Sequence, residues 1–224
     1  MINNKSVMAI TLARGGSKRV PRKNVLDING KPLVQYTIDE VRKSKYVDNY
    51  IVSTDDSDIK ELCRDLGQTY YNRRPVSDTQ KSSDGILEVL KGMDKPHYVI
   101  EVMCTNPLKK VDDIDGVIEK IEESQADTVC SVVRVWDYHP SRIKFMNDDK
   151  TMKDVHPEIP ETRRQDLNPP AYIRNGSIYA MTWNHLHIKE TRYDKNTVAY
   201  IMPEDRTINI DEPIDLELAR ILTR

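Results

Sequence analysis

The fold is decided by the stretch Val7-Met8-Ala9-Ile10-Thr11-Leu12-Ala13, a continuous apolar run that the loop Arg14-Gly15-Gly16-Ser17-Lys18 follows directly. A short apolar run of this kind is typical of a strand that is buried on both faces of a parallel sheet. Beyond the loop, Pro32 opens a segment with helical spacing of apolar residues that ends near Val41. The order strand, loop, helix predicts the first unit of a parallel α/β sheet.

The same alternation continues along the chain. Downstream, the patterns predict strands at 50–54, 98–104 and 128–135 and helices at 55–66, 83–93 and 113–124. Further on, they predict strands at 172–181, 197–202 and 207–210 and a last helix at 213–222. Repeated β-then-α units of this length predict an α/β fold with a mainly parallel sheet and helices on both faces.

The segment 136–170 interrupts this rhythm. It contains five prolines and only short apolar runs, and the run around Ile143 to Met146 favours a hairpin or an arm over sheet core. We therefore expect a single domain over residues 1–224, with 136–170 as an arm that contacts another subunit or the substrate.

Composition excludes several classes of function. The 34 basic and 36 acidic residues give a net charge of −2, so the chain is no polycation built for nucleic acid. No apolar run approaches the roughly 18 residues that a membrane span requires. Three cysteines without a CxxC pair argue against a disulfide framework and for a reducing compartment. We expect a cytoplasmic protein that binds neither nucleic acid nor membrane.

The loop 14–24 is the strongest functional signal in the sequence. It places five basic side chains within eleven residues, next to two adjacent glycines. Glycines let the backbone approach a ligand closely, and successive N–H groups in such a turn bind anions. Ligands of open parallel sheets bind beyond the carboxyl ends of strands, which is where this loop lies. The loop matches neither GxxxxGK[ST] nor GxGxxG, and a solvated basic turn is the alternative.

Several segments together resemble the CMP-sialic acid synthetases (acylneuraminate cytidylyltransferases). The first is Leu12-Ala13-Arg14-Gly15-Gly16-Ser17-Lys18 with Lys23-Asn24. Later segments match the family in order over essentially the whole chain: Arg74-Pro75, Asp78-Thr79, Ser82-Ser83, Thr105-Asn106-Pro107-Leu108, Arg163-Arg164-Gln165-Asp166-Leu167, Asn175-Gly176-Ser177-Ile178-Tyr179 and Ile210-Asp211.

The resemblance implies an activity and an architecture. The anomeric hydroxyl of a 2-keto-3-deoxy acid sugar would attack the α-phosphorus of CTP, giving a CMP-sugar and pyrophosphate. The fold would be a Rossmann-like nucleotidyltransferase domain that forms a homodimer through the 136–170 arm. Mg²⁺ would assist, because phosphoryl-type transfer depends mainly on positioning and on stabilisation of charge.

The resemblance also assigns residues. Nucleotide binding would fall to Ala13, Arg14, Gly15, Ser17, Lys18, Lys23, Asn24, Arg74 and Ser82. The sugar would meet Thr105, Asn106, Arg163, Arg164, Gln165, Asn175, Gly176 and Tyr179. Arg14, Lys18 and Asp211 would be catalytic, and Asp211, with Asn209 as a second oxygen donor, would bind the metal. Without the resemblance, the alternatives are a solvated strand end at Arg74, a hairpin turn at Asn175-Gly176, a core position for Tyr179 and a helix cap at Asp215.

The chain departs from the family pattern at some of these segments. Asn209 stands where the family has the first aspartate of Asp-x-Asp, and Met103 and Cys104 replace a glutamine and a proline. A thioether donates no hydrogen bond. Three alternatives therefore stay open: another acceptor, such as an eight-carbon keto-deoxy acid or a phosphonate; a homologue that binds nucleotide without turnover; and, disfavoured, an RNA-binding module.

Overall fold

The main sheet has seven strands in the computed structural model, which describes residues 1–75 and 80–223. Their order is β11-β7-β10-β6-β1-β4-β5, with two further two-stranded sheets, β2-β3 and β8-β9. The bounds are β1 Val7–Leu12, β2 Asp27–Ile28, β3 Lys31–Pro32, β4 Asn49–Thr54, β5 Tyr70–Asn72, β6 Tyr98–Val102, β7 Thr128–Val135, β8 Lys144–Met146, β9 Met152–Asp154, β10 Ala171–Thr182 and β11 Val198–Ile201.

Six α-helices connect the strands in the described part of the chain. They are α1 Leu33–Val41, α2 Ser57–Asp65, α3 Ser82–Leu90, α4 Val111–Ser124, α5 Trp183–Lys189 and α6 Pro213–Leu222. Local chemistry sets several of their ends. Asp56 caps α2 by accepting from two backbone N–H groups, and Gly67, just past its end, has φ +60°.

The main sheet is mainly parallel, which confirms the predicted fold class. Strand β1 pairs in parallel with β4 and with β6. Only β10 runs antiparallel among the seven strands, to β6 on one side and to β7 on the other. Side chains of β1 alternate between two cores, Val7 and Ala9 toward α4 and Met8 and Ile10 toward α3 and α5. Helices on both faces therefore bury the central strands completely.

Three elements differ from the sequence predictions. Residues 207–210 form no strand, because this segment lies outside the seven-strand ladder and its Ile210 N–H donates to the carbonyl of Thr105 at 2.9 Å. The three-residue strand β5 and the seven-residue helix α5 are too short for the patterns to predict them. No helix of the described chain is long and apolar enough to cross a membrane.

The 136–170 segment lies outside the main sheet and contains a two-stranded hairpin of its own. Strands β8 and β9 pair antiparallel, which confirms the predicted hairpin. Several large apolar side chains of the arm are exposed, among them Tyr138, Phe145, Met146 and Met152. Exposed large apolar side chains of this kind mark an interaction surface in many proteins.

Candidate active site

A cavity of about 590 Å³ opens at the carboxyl ends of β1 and β6, in the centre of the main sheet. The charged side chains that line the cavity are mostly basic. The basic side chains that line it are Arg14, Lys18, Arg19, Lys23, Arg73 and Lys81, whereas the acidic ones are Glu101 and Asp211. Such a concentration of positive charge at strand ends suits a polyanionic ligand.

The glycine-rich loop is fixed against the start of α2. The Gly15 N–H donates to Asp55 Oδ1 at 2.9 Å. A Cβ at residue 15 would lie 2.6 Å from Asp56 Oδ2, so only glycine fits there. Asp56 cannot move away cheaply, because it caps α2 and also accepts from Arg22 Nη2 at 3.1 Å. The tight packing holds the loop at the mouth of the cavity.

Asn24 links this loop to the end of β6. The side chain is buried, and its Nδ2 donates to the Arg14 carbonyl at 2.9 Å. Its Oδ1 accepts from the Cys104 thiol at 3.1 Å. Burial raises the pKa of Cys104, which keeps it a thiol donor. Cys104 is itself buried, and the Asn24 amide serves to shape the cavity wall.

Lys23 connects the loop to the segment that carries the predicted metal ligand. Its Nζ donates to the Ile210 carbonyl at 2.6 Å and to Asp211 Oδ1 at 3.0 Å. Asn209 Nδ2 donates to the other oxygen, Asp211 Oδ2, at 2.5 Å. Asp215 accepts from the backbone N–H of Asp211 and caps α6, which confirms its interpretation as a helix cap.

The loop after β6 is held by a buried network. Asn106 is fully buried and donates to Ser177 Oγ at 3.1 Å and to the Arg206 carbonyl at 3.0 Å. Buried Lys109 donates to the Asn106 carbonyl and to Thr37 Oγ1. Burial lowers the pKa of Lys109 to about 7. Of the two residues predicted to meet the sugar here, Thr105 lines the cavity and Asn106 supports the loop from behind.

The structure of the segment Asn175 to Tyr179 differs from what the sequence predicts. It is no hairpin turn: β10 runs through it with a bulge, and Gly176 has φ +63°. Asn175 Oδ1 accepts from Ser131 Oγ at 2.6 Å inside the protein, and buried Tyr179 stacks on Tyr193. Only Gly176 of the three predicted sugar-facing residues lines the cavity, so the core alternative holds for Tyr179.

Arginines predicted for the site also lie elsewhere. Arg163, Arg164 and Gln165 are exposed on the arm and do not line the cavity of their own chain. Arg163 pairs with Asp166 at 2.8 Å, and the Arg164 guanidinium lies 5.4 Å from the centre of the Trp136 ring.

Arg74 is likewise exposed, and it is the neighbouring Arg73 that lines the cavity. Tyr71 of β5 faces the core on the α3 side, and strand alternation puts Arg73 on that same side, a signal that the sequence contained. Gly85 of α3 leaves room for the guanidinium, since a Cβ there would lie 3.2 Å from Arg73 Nη1. Residues 76–79, which include the predicted Asp78-Thr79 segment, lie outside the described residues.

Sequence reasoning missed Glu101, a fully buried carboxylate on the cavity wall. Its Oε2 accepts from Arg192 Nη1 at 2.7 Å. Burial raises the pKa of Glu101, and the charge of Arg192 opposes this. One signal was present: a single carboxylate stands in the otherwise apolar strand Tyr98–Val102.

The described geometry defines a nucleotide-binding α/β protein, with a cationic glycine-rich loop after the first strand of a parallel sheet. Comparison with known proteins gives the family. The cytidylyltransferase family model matches residues 8–223, and the chain belongs to this family. The resemblance seen in the sequence and the assignment as a nucleotidyltransferase enzyme are thereby confirmed.

Named relatives span most of the chain. It is 28% identical over 222 residues to the pseudaminic acid cytidylyltransferase of Campylobacter jejuni, covering 96% of this chain and 95% of that one. It is 29% identical over 208 residues to the N-acylneuraminate cytidylyltransferase of Streptococcus agalactiae, covering 91% of this chain and 50% of that one.

A solved structure shares the fold. The CMP:2-keto-3-deoxy-manno-octonic acid synthetase complexed with CTP superposes with a TM-score of 0.75 at 20% identity, covering 97% of this chain and 98% of that one.

Proposed function

We propose that this enzyme transfers the cytidylyl group of CTP to the anomeric hydroxyl of a nonulosonic, sialic-type acid. The new bond joins the sugar oxygen to the α-phosphorus, and the bond from that phosphorus to the bridging oxygen breaks. Pyrophosphate leaves with the electron pair, and the proton of the anomeric hydroxyl is released to solvent. The observation that carries the proposal is the set of six basic side chains that line a cavity at the end of β1, in a member of the cytidylyltransferase family.

The basic residues have a clear task in this reaction. Negative charge builds up on the bridging oxygen as pyrophosphate leaves, and fixed cations near it lower the barrier. Arg14 and Lys18 on the loop, with Arg73 after β5, are the candidates for this stabilisation. Lys23 and Asn24 would keep the loop in position against the triphosphate.

Magnesium fits the donor set of the cavity. Among the described residues no group of three or more His, Cys, Asp or Glu side chains could hold a metal by itself. Mg²⁺, however, is commonly held by one or two carboxylates together with substrate phosphates. Asp211 would supply the carboxylate and the Asn209 amide oxygen a neutral donor. The ion would neutralise phosphate charge and orient the triphosphate.

The metal assignment makes a first prediction. We expect Asp211→Ala to raise sharply the magnesium concentration that half-maximal turnover requires, because the carboxylate is the single acidic donor of this segment that lines the cavity in the described chain. Asp205→Ala, at an exposed aspartate nearby, is the control. An unchanged magnesium dependence of Asp211→Ala would remove this residue from the metal site.

The remaining parts of the proposal concern assembly and location. The exposed apolar side chains of the arm support a homodimer in which Arg163 and Arg164 of one subunit approach the cavity of the other. The near-neutral net charge supports an enzyme without a nucleic acid partner, and the three free cysteines support a reducing, cytoplasmic compartment.

The test is pyrophosphate release by the purified chain with CTP and Mg²⁺. The acceptors are N-acetylneuraminate, legionaminate, pseudaminate and an eight-carbon keto-deoxy acid, with ATP, GTP and UTP as nucleotide controls. We expect CTP-specific release with a nonulosonic acid. Release with the eight-carbon acid alone would favour the alternative acceptor. Binding of CTP without release under any acceptor would favour a homologue that has lost turnover.

A further inference from the structure

Glu101 is the feature of the cavity that CTP binding leaves unexplained. The side chain is fully buried on β6, and Oε2 is held by Arg192. The other oxygen, Oε1, is buried without a hydrogen bond of normal geometry among the described residues, and the Ser82 hydroxyl at the start of α3 lies near this carboxylate. A buried acceptor without a donor costs free energy, so native proteins rarely keep one without a reason.

The carboxylate stands apart from the phosphate-binding side of the cavity. In the sheet, β6 lies between β1 and β10, and Glu101 is in register with Ile10 on one side and Tyr179 on the other. Arg73 lies beyond β4, at the end of β5, and the basic loop follows β1. The cavity therefore has a cationic side toward β5 and a second side toward β10, where Glu101 and Met103 lie.

The charges on the two sides of the cavity determine which reactant binds to each side. The triphosphate of CTP carries several negative charges and is repelled by a buried carboxylate, so it occupies the cationic side. The acceptor is left with the β10 side. Its own carboxylate cannot lie against Glu101 for the same reason.

Arg192 fixes the orientation of the carboxylate. The guanidinium lies 4.3 Å from the centre of the Tyr179 ring and its Nη1 lies 3.8 Å from Met103 Sδ. Burial works against its charge, yet Glu101 raises the pKa of Arg192, so the guanidinium stays charged. A carboxylate that a charged guanidinium holds by one oxygen presents its other oxygen as a hydrogen-bond acceptor.

We infer that Glu101, oriented by Arg192, selects the acceptor sugar by accepting a hydrogen bond from one of its hydroxyl or acylamino N–H groups. This inference depends on the proposed function and names a specificity residue within it. The acceptor sugar of this enzyme therefore carries a hydrogen-bond donor at the position that faces β6. An acceptor with only a methyl group or a carbonyl oxygen there would leave Oε1 unpaired and bind poorly.

The test compares Michaelis constants of Glu101→Gln with those of the unaltered enzyme, using the acceptor that releases pyrophosphate. We expect the acceptor KM to rise about tenfold or more, as for loss of a hydrogen bond to a charged group, and the CTP KM to stay unchanged. Because Glu101→Gln leaves Arg192 buried without its counter-ion, the double variant Glu101→Met/Arg192→Met is made in parallel. Asp113→Asn, at a buried carboxylate paired with Arg206 outside the cavity, is the matched control.

Acceptor analogues locate the hydrogen bond. Each hydroxyl is replaced by hydrogen and each acylamino N–H by N-methyl, one at a time. We expect the unaltered enzyme to lose affinity for one analogue to which Glu101→Gln is indifferent. An acceptor KM unchanged in both Glu101 variants, or a rise in the CTP KM with weaker discrimination against UTP, would overturn the inference. Turnover by the unaltered enzyme tests the proposed function without reference to Glu101. The proposed function can therefore hold even if the role of Glu101 is wrong.

Discussion

At the residue scale, the cavity depends on a glycine that packs against the start of a helix. Gly15 has no space for a side chain because Asp56 is held in place by the backbone of α2 and by Arg22. Gly16 is next in the chain, and a Cβ there would have nothing within 4 Å. The two glycines of the motif therefore do different things.

This difference gives a prediction with an internal control. We expect Gly15→Ala to lower the free energy of unfolding by about 1–3 kcal/mol, because the extra methyl group overpacks against the α2 cap. Affinity for CTP should fall with it, since the loop must shift. Gly16→Ala should leave both quantities unchanged. Chemical denaturation and CTP titration measure them, and equal behaviour of the two variants would show that the contact with Asp56 does not constrain the loop.

The exposed lysine of the loop is expected to act on chemistry alone. We expect Lys18→Ala to lower kcat/KM for CTP about 100-fold or more, the usual cost of removing one group that stabilises transition-state charge. The free energy of unfolding should change by less than about 0.5 kcal/mol, as for most surface substitutions. Lys91→Ala, at an exposed lysine after α3, is the control. Turnover near that of the unaltered enzyme would remove the loop from the reaction.

Some cavity residues can be predicted from sequence motifs, and others cannot. The basic loop, Ser82, Thr105, Gly176 and Asp211 all line the cavity, and each follows a motif of fixed composition. Asn175 and Tyr179 belong to a motif as well, but which way a side chain points depends on the bulge in β10. Glu101 and Arg192 come from separate elements, and their pairing exists only in three dimensions.

At the scale of elements, the loop between β6 and α4 connects three parts of the cavity. Asn106 bonds to Ser177 of β10 and to the carbonyl of Arg206, and the Thr105 carbonyl accepts from Ile210. Lys109 supports the loop by donating to the carbonyl of Asn106. Asp211 is therefore positioned by the hydrogen bond between its neighbour Ile210 and the loop after β6, because its own segment is not a strand.

The buried lysine makes the stability of this element depend on pH. Burial holds the pKa of Lys109 at about 7, against an ordinary value of 10.5, while the carboxylates of Glu40 and Asp113 oppose the shift. Between these values the unfolded chain binds more protons than the folded one, so stability rises with pH. We expect the free energy of unfolding to gain up to about 1.4 kcal/mol per pH unit above pH 7 relative to Lys109→Met. Parallel curves for the two proteins would contradict the lowered pKa.

The sequence predicts the elements well where one physical signal dominates. The buried runs of β1, β4, β6 and β7 and the amphipathic pattern of α4 correspond to observed elements. The segment 207–210 alternates like a strand, yet it lies outside the seven-strand sheet: the Ile210 N–H donates to the Thr105 carbonyl, and Asn209 lines the cavity. Pairing is a tertiary property that local alternation does not determine.

At the scale of the whole molecule, the arm makes the clearest prediction. We expect a dimer of the 25.9 kDa chain, because Phe145, Met146 and Met152 are each more than 60% exposed in the single chain. Phe145→Asp should produce monomers. Ile188→Asp, at an exposed apolar residue of α5 outside the arm, should leave the dimer intact. Analytical ultracentrifugation measures the mass, and a dimeric Phe145→Asp would place the interface elsewhere.

In the proposed reaction the anomeric hydroxyl attacks the α-phosphorus of CTP. Phosphorus NMR of the reaction with CTP, Mg²⁺ and a nonulosonic acid tests it most directly. We predict that the three CTP resonances disappear together, replaced by one phosphodiester resonance of the CMP-sugar and the resonance of pyrophosphate in equal amounts. The appearance of CDP with inorganic phosphate or a phosphorylated sugar would mean attack at the γ-phosphorus and would contradict it.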